Sequence, residues 1–167
     1  MKGRVFLLKA SKTRALHNHG GHAQNTATRH IDKIIIHCSA TKAGKDFRAK
    51  DIDMWHKQRG FKCIGYHFVI LLDGTIEIGR ALQQIGAHCK GHNKTSVGVC
   101  YIGGLDESGA PKNTLTDSQL TTLLTLCREL TQKYPRAKIY GHKDFNPAKA
   151  CPSFEVKEVL KEFFHAK

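Results

Sequence analysis

The apolar residues of the chain become regularly spaced near residue 31, where a strand-like segment is followed by a helix-like one. Lys33–His37 contains three consecutive isoleucines, which is typical of a strand that is buried on both faces. In Asp51–Arg59 the side chains of Ile52 and Trp55 recur at helical spacing, and Gly60 follows as a helix-ending residue. The pattern predicts a strand, a loop and a helix, in that order.

Two further apolar segments flank a turn signal. Tyr66–Leu72 and Thr75–Ile78 are separated by Asp73-Gly74, and this dipeptide supplies the positive φ angles that a tight turn needs. The two segments are therefore predicted to form a β-hairpin. Another strand is predicted at Ser96–Ile102.

The remaining pattern predicts a helix, a strand and a second helix. Thr116 and Gln119 have the spacing of a capping box, and the helix that they begin is predicted to run to about Tyr134. A short strand is predicted at Ala137–Tyr140. The last predicted element is an amphipathic helix with apolar positions at Val156, Val159, Leu160 and Phe163.

Strands that alternate with helices indicate an α/β fold, a single domain with a mixed central β-sheet flanked by helices on both faces. The 167 residues suffice for one domain with its own core. With 40% hydrophobic and 25% charged residues, wholesale disorder is excluded. We place the folded domain at residues 31–167.

The chain is strongly basic, with 27 Lys and Arg against 14 Asp and Glu and a formal net charge of +13. Such a field favours a polyanionic partner, such as nucleic acid, anionic lipid or an anionic cell wall. No zinc-finger spacing, ribonucleoprotein motif or obvious helix-turn-helix supports nucleic acid. Residues 1–30 have no acidic side chain and no apolar periodicity in their middle, so we expect a flexible basic arm there. Its cations are Lys2, Arg4, Lys9, Lys12, Arg14 and Arg29.

No apolar run approaches the roughly 18 to 20 residues that a membrane-spanning helix needs. The apolar patch Val5–Leu8 is shorter than the core of a signal peptide, which has about 7–15 residues. We therefore expect synthesis in the cytoplasm, with no visible signal peptide and no membrane span. In that reducing compartment the six cysteines are expected to include buried free thiols rather than to form three disulfides.

Three residues of metal-binding type lie at or after predicted strands. His37 ends the isoleucine-rich strand, His142 follows the short strand at Ala137–Tyr140, and Cys151 lies nine residues after His142. Two imidazoles and one thiolate suit Zn²⁺ and leave a fourth position for water, which is the pattern of a catalytic site. Spacing alone leaves open that each histidine is an ordinary hydrogen-bonded residue.

Eight short strings follow one another between about residues 31 and 156. They are Ile-Ile-His-Cys-Ser-Ala-Thr (35–41), Trp-His-Lys (55–57), Gly-Tyr-His-Phe (65–68), Asp-Gly-Thr (73–75), Gly-Ala-His (86–88), Gly-His-Asn (91–93), Ser-Val-Gly-Val (96–99) and Lys-Ala-Cys-Pro-Ser-Phe (149–154). In this order they resemble the zinc N-acetylmuramoyl-L-alanine amidases. The chain is most similar to the short bacteriophage lysozymes that are amidases, and more distantly similar to peptidoglycan recognition proteins.

The resemblance implies zinc-dependent hydrolysis of the amide bond between N-acetylmuramic acid and L-alanine in peptidoglycan. It implies that His37, His142 and Cys151 bind Zn²⁺, and that Tyr66 and Lys149 are catalytic. Lys149 is expected to stabilise the tetrahedral oxyanion, and Tyr66 to hydrogen-bond the attacking water or the developing charge. The alternatives are an aromatic core residue for Tyr66 and an ordinary surface lysine for Lys149.

Other residues of the matching strings have weaker assignments. His88 and Asn93 lie in the Gly-rich loop 86–93 and are expected to contact the peptide stem or the sugar. His67 follows Tyr66 on the same strand and so points to the opposite face, where we expect it to be packed in the core.

The expected partner is peptidoglycan, whose peptide carboxylates attract a cationic protein, and the protein is expected to act on the cell wall after release or export. Some phage enzymes that the chain resembles also restrain the phage RNA polymerase, so a polymerase is a second candidate partner. The alternative function is a non-catalytic protein on the same fold that binds peptidoglycan or regulates a polymerase. The presence of all three ligand residues favours the enzyme.

Overall fold

The structure is a computed structural model that describes residues 28–164. Within these residues, seven strands and three α-helices follow one another, with 3₁₀ turns at Asn93–Thr95, His142–Asp144 and Lys161–Phe163. The strands are β1 Lys33–Cys38, β2 Thr41–Lys42, β3 Phe68–Ile70, β4 Ile76–Ile78, β5 Ser96–Tyr101, β6 Gly104–Leu105 and β7 Lys138–Gly141. The helices are α1 Ala49–Gln58, α2 Asp117–Lys133 and α3 Val156–Val159.

Five strands form the central sheet in the order β4-β3-β5-β1-β7. Strands β3, β5, β1 and β7 are parallel to one another, and β4 is antiparallel to β3, which confirms the mixed sheet. Strand β1 pairs with β5 along its whole length and with β7 along four residues. Its carboxyl end, which carries His37, is therefore held between two neighbouring strands.

Alternate side chains of the sheet pack on opposite faces, as the pleat of a strand requires. Ile34 and Ile36 belong to the larger apolar cluster, which also contains residues of α2 and α3. On the other face, Ile52 of α1 packs with Val69 of β3 and Cys100 of β5. Helices therefore cover both faces of the sheet, as the sequence predicts.

A capping box begins α2 at the predicted residues. The Thr116 hydroxyl accepts a hydrogen bond from the backbone N–H of Gln119, and the Gln119 side chain accepts one from the N–H of Thr116, both at 3.0 Å. The buried Gln119 amide also donates to the carbonyls of Ile70 and Ile102. The cap thus joins the start of α2 to the ends of β3 and β5.

The sequence-based prediction of a single last helix is wrong in extent. Helix α3 has only four residues, and a separate 3₁₀ turn at Lys161–Phe163 follows it. Leu160, with φ −105° and ψ 31°, leaves the α-helical conformation between them. Both conformations place apolar side chains at similar spacing, so the pattern alone does not distinguish one long helix from two short turns. Val156 and Leu160 are nonetheless buried, as predicted.

The fold extends further towards the amino terminus than residue 31. The Arg29 guanidinium donates hydrogen bonds to the carbonyls of Leu82 at 2.9 Å, Ser96 at 3.1 Å and Asn93 at 3.2 Å. Arg29 therefore belongs to the folded part, and residues 1–27 of the predicted arm lie outside the described residues.

All six cysteines lie in the described part, and all are free thiols. Within residues 28–164, no helix has both the length and the apolar character needed to cross a bilayer.

Candidate metal centre and active cleft

A cleft of about 750 Å³ opens where the carboxyl ends of β1 and β7 meet the loops that follow α1 and β4. Of the described residues that line it, none is acidic, and Arg59, Lys90 and Lys149 are cationic. The cleft therefore has a positive field that suits an anionic ligand.

Three donor side chains converge in this cleft. One ligand atom from each of His37, His142 and Cys151 lies within 4.8 Å of the other two. The Nδ1 atom of His37 is 3.7 Å from the Cys151 sulfur, and the centroids of the two imidazole rings are 4.7 Å apart. The structure thus brings together the three residues that the sequence predicts, and this group can hold a metal ion.

Sheet register explains why the two histidines meet. Ile36 of β1 is paired with Gly141 of β7, so the next residues of the two parallel strands, His37 and His142, emerge side by side. His37 is fully buried, whereas His142 is partly exposed at the start of a 3₁₀ turn.

Backbone hydrogen bonds bring Cys151 to the same place. The backbone N–H of Cys38, at the end of β1, donates to the Cys151 sulfur at 3.3 Å. The N–H of Lys143 donates to the carbonyl of Cys151 at 2.9 Å, and the buried Tyr101 hydroxyl donates to the carbonyl of Pro152 at 2.7 Å. Cys151 and the proline after it are therefore held by the end of β1, by β5 and by the turn that follows β7.

The electrostatics of the cluster favour neutral imidazoles. Burial lowers the pKa of His37 well below its usual value, with a smaller effect from His88. Burial, assisted by the Lys149 cation, also lowers the pKa of His142. The hydrogen bond with the Cys38 thiol and burial raise the pKa of Cys151. A metal ion would therefore meet two free imidazole lone pairs and would displace one thiol proton.

The two predicted catalytic residues both line the cleft. The ring centroid of Tyr66 lies 5.0 Å from that of His37, and burial raises the pKa of Tyr66 well above its usual value, so the phenol keeps its proton. Lys149 is exposed, and its backbone N–H donates to the carbonyl of Asn146 at 2.9 Å. The cluster thus has a neutral hydroxyl donor and a solvated cation in the same cleft.

His88 and Asn93, the predicted substrate-binding residues, also line the cleft. The Nδ1 atom of His88 lies 2.8 Å from the Nε2 atom of His37, and Asn93 accepts hydrogen bonds from the backbone N–H groups of His88 and Cys89. Burial, with a smaller effect from His67, lowers the pKa of His88 to about 3. No local pattern predicts the His37–His88 contact, because the two residues are 51 positions apart. Contact of His88 and Asn93 with substrate stays a prediction.

His67 is fully buried, which confirms its expected place in the core. Its Nδ1 atom accepts a hydrogen bond from the N–H of Gly98 at 3.0 Å, and its Nε2 atom lies 2.9 Å from the carbonyl of Gln84. Sequence analysis missed Arg59, Lys90 and Phe145 as cleft residues, since single side chains on loops carry no periodic signal.

Sequence comparison identifies the family to which this chain belongs. The sequence profile of the N-acetylmuramoyl-L-alanine amidases matches residues 27–154, which is most of the chain and includes all three candidate metal ligands. The chain belongs to the N-acetylmuramoyl-L-alanine amidase family.

Individual relatives of this amidase agree with the assignment. The chain is 44% identical to the endolysin of Enterobacteria phage K11 over 138 residues, which cover 83% of this chain and 91% of the relative. It is similar to the solved structure of N-acetylmuramoyl-L-alanine amidase LysC from Clostridium intestinale, with a TM-score of 0.70, 32% identity and coverage of 84% and 89% of the two chains.

The fold also resembles that of Drosophila peptidoglycan recognition protein LB, with a TM-score of 0.69, 26% identity and coverage of 83% and 84% of the two chains. None of these three similarities supports an RNA polymerase as a partner of the amidase.

Proposed function

We propose that this amidase holds one Zn²⁺ between His37, His142 and Cys151 and uses it to hydrolyse the bond between N-acetylmuramic acid and L-alanine in the bacterial cell wall, as its endolysin relatives suggest. The observation that carries the proposal is the convergence of these three donor atoms in a cleft that Lys149 and Tyr66 also line.

The donor set fits zinc in type, and one donor pair has the spacing expected around a zinc ion. Ligands that lie about 2.0–2.3 Å from a tetrahedral zinc ion are separated from one another by about 3.5 Å. The observed separation of 3.7 Å between His37 Nδ1 and Cys151 Sγ is close to that value. Three protein ligands leave a fourth position open to the cleft, as in catalytic zinc sites.

The chemistry that zinc supplies when bound is polarisation of the scissile carbonyl and activation of a water molecule. The Lys149 ammonium faces the cleft from its exposed wall, where it stabilises negative charge on the carbonyl oxygen. Tyr66 keeps its proton at neutral pH, so it acts as a hydrogen-bond donor to the same oxygen and does not act as a base.

The substrate is an anionic wall polymer, and the cationic lining of the cleft supports this assignment. The loop that holds His88 and Asn93 forms one wall of the cleft, and we assign it to substrate contact. The predicted basic arm would act as an electrostatic tether, because residues 1–27 add five cations and no acid to the chain.

The proposal is tested by comparing Cys151→Ser with the matched control Cys63→Ser, which changes a half-buried thiol outside the cleft. Wild type and Cys63→Ser are expected to bind about one equivalent of zinc and to release peptides that begin with L-alanine from purified sacculi. Cys151→Ser should lose most of both properties, because a neutral hydroxyl replaces the thiolate ligand.

Chelation should abolish hydrolysis by the wild type, and added zinc should restore it. Full hydrolysis by Cys151→Ser or by the chelated enzyme would show that the cluster is not the catalytic metal site. Release of new reducing sugar ends in place of amino groups would show that a different bond is cleaved.

A further inference from the structure

A chain of three buried polar side chains extends from the metal cluster into the core. His37 Nε2 lies 2.8 Å from His88 Nδ1, and His88 Nε2 lies 3.2 Å from the Ser96 hydroxyl. His37 and Ser96 are fully buried, and His88 is 8% exposed. This series of hydrogen bonds begins at Nε2 of His37, whereas the Cys151 sulfur lies near Nδ1 of the same ring.

The direction of these hydrogen bonds follows from the metal site. A metal bound at His37 Nδ1 uses the lone pair of that atom, so the proton of the neutral ring must lie on Nε2. The Nε2–H group then donates to His88 Nδ1, which must be unprotonated to accept it. His88 consequently carries its own proton on Nε2 and donates it to the Ser96 hydroxyl. Only this arrangement satisfies both rings.

The His88 ring packs tightly against two glycines, which restrict its orientation. A Cβ atom on Gly98 would lie 2.7 Å from the ring, and one on Gly86 would lie 2.5 Å from it, so only glycine fits at either position. The Asn93 side chain accepts a hydrogen bond from the backbone N–H of His88 at 2.8 Å, which ties the two ends of this part of the loop together. These close contacts leave the His88 ring little freedom to turn away from His37.

We propose that His88 is a positioning residue, which accepts the Nε2–H hydrogen bond of His37 and thereby holds Nδ1 of that ring towards the metal. The inference rests on the proposed zinc site. Partners of this kind commonly change metal affinity by about 10–100-fold when they are removed. The usual acceptor is a carboxylate, a carbonyl or water, and here it is a neutral imidazole of the core.

The first test measures zinc affinity by competition with a chromophoric chelator, together with the melting temperature of the zinc-free protein. His88→Leu removes the acceptor and should weaken zinc binding about 10–100-fold. His88→Asn places Oδ1 near the position of Nδ1 and should recover most of the affinity. His67→Leu is the matched control, because it removes a neighbouring buried ring that has no hydrogen bond to a metal ligand.

His67→Leu should lower the melting temperature and leave zinc affinity near that of wild type. Wild-type affinity in His88→Leu would overturn the inference, and so would equal losses of affinity in His67→Leu and His88→Leu. If wild type itself binds no zinc, the proposed function fails. A zinc-binding wild type with an unaffected His88→Leu variant contradicts only the positioning role.

The second test needs no variant and decides the question even if His88→Leu does not fold. Nitrogen-15 NMR of the zinc-loaded wild type reports which ring nitrogen of each histidine carries a proton. We expect the protons of His37 and His88 on Nε2, with Nδ1 of His88 unprotonated. A proton on Nδ1 of His88 would show that it cannot accept from His37, and would overturn the proposal.

Discussion

The two walls of the metal cluster differ in how they are built. On one wall, His37 lies in a six-residue strand that is hydrogen-bonded on both sides, and its side chain is fully buried. On the other wall, His142 and Cys151 are partly exposed, and they flank an irregular loop whose Lys149 faces solvent. One wall is part of the core, and the other is a loop attached to it.

This difference in burial gives the two walls different roles. The buried wall fixes one ligand and its hydrogen-bond partner in a single orientation, since a packed core leaves few alternatives. The loop wall presents two ligands and a cation to the substrate side, where exposure is needed for access. Changes on the buried wall should therefore alter both stability and metal binding, and changes on the loop wall should alter chemistry with little effect on stability.

Removing a metal ligand on either wall should cause the greatest loss of function. His37→Ala and His142→Ala should both abolish zinc binding and hydrolysis. In zinc-free protein, His37→Ala should also lower the free energy of unfolding by about 1–3 kcal/mol, because His88 loses its buried hydrogen-bond partner. His142→Ala should cost about 1 kcal/mol or less. Urea unfolding of the chelated proteins measures the difference, and equal losses would show that the walls do not differ.

The next effect separates catalysis from metal binding. Lys149→Ala and Tyr66→Phe should each lower kcat by about 10²–10³-fold, equivalent to about 2.7–4 kcal/mol, with zinc content near wild type. Lys138→Ala, which changes an exposed lysine on β7, is the control for lost charge and should keep wild-type turnover. Unchanged kcat in both cleft variants would show that Tyr66 is only a core aromatic residue and that Lys149 is an ordinary surface lysine.

A graded effect should appear as the pH is lowered. Burial lowers the pKa of His67 to about 4 and that of His88 to about 3, so the unfolded chain binds protons that the folded chain does not. The stability that these neutral rings provide is present above pH ~6.5 and is lost as the pH falls, by up to about 1.4 kcal/mol per pH unit for each ring.

Urea unfolding of the chelated protein between pH 7 and pH 5 measures this slope. His67→Leu should make it shallower, because one of the neutral buried rings is removed. A free energy of unfolding that does not change over this range would show that the buried wall does not exclude protons.

The weakest change is expected from the basic arm, which lies outside both walls. Deletion of residues 1–27 removes Lys2, Arg4, Lys9, Lys12 and Arg14 and no acidic side chain. Association with sacculi should weaken at low salt, and the difference should disappear as the Debye length falls to about 3 Å at 1 M. Turnover of a small soluble muropeptide should not change. A loss on that soluble substrate at every salt concentration would contradict the tether.

The sequence predicts the buried wall better than the loop wall. Three isoleucines and a capping box are local signals of strong elements, and β1 and α2 lie where these signals place them. The two-residue strands β2 and β6 escape notice because two residues carry no period. The short α3 is mispredicted for the related reason that its pattern suits a longer helix equally well.

The metal cluster shows the same limit. His37, His142 and Cys151 are identifiable from residue type and from family resemblance, and the structure brings them together. The hydrogen bond from His37 to His88 depends on how loop 86–93 packs beside β5, which no local pattern reports. Contacts between a metal ligand and a residue from a distant part of the chain can be identified only once the fold is known.

The most direct test of the account is X-ray absorption spectroscopy of the zinc-loaded, full-length amidase. One zinc ion that joins the two walls should have one sulfur ligand at about 2.3 Å and two imidazole nitrogens at about 2.0–2.1 Å, with a further light atom in the fourth position. Cys151→Ser should remove the sulfur signal, and Cys63→Ser should keep it. A wild-type spectrum without sulfur, or one with two sulfur ligands, would contradict the site described here.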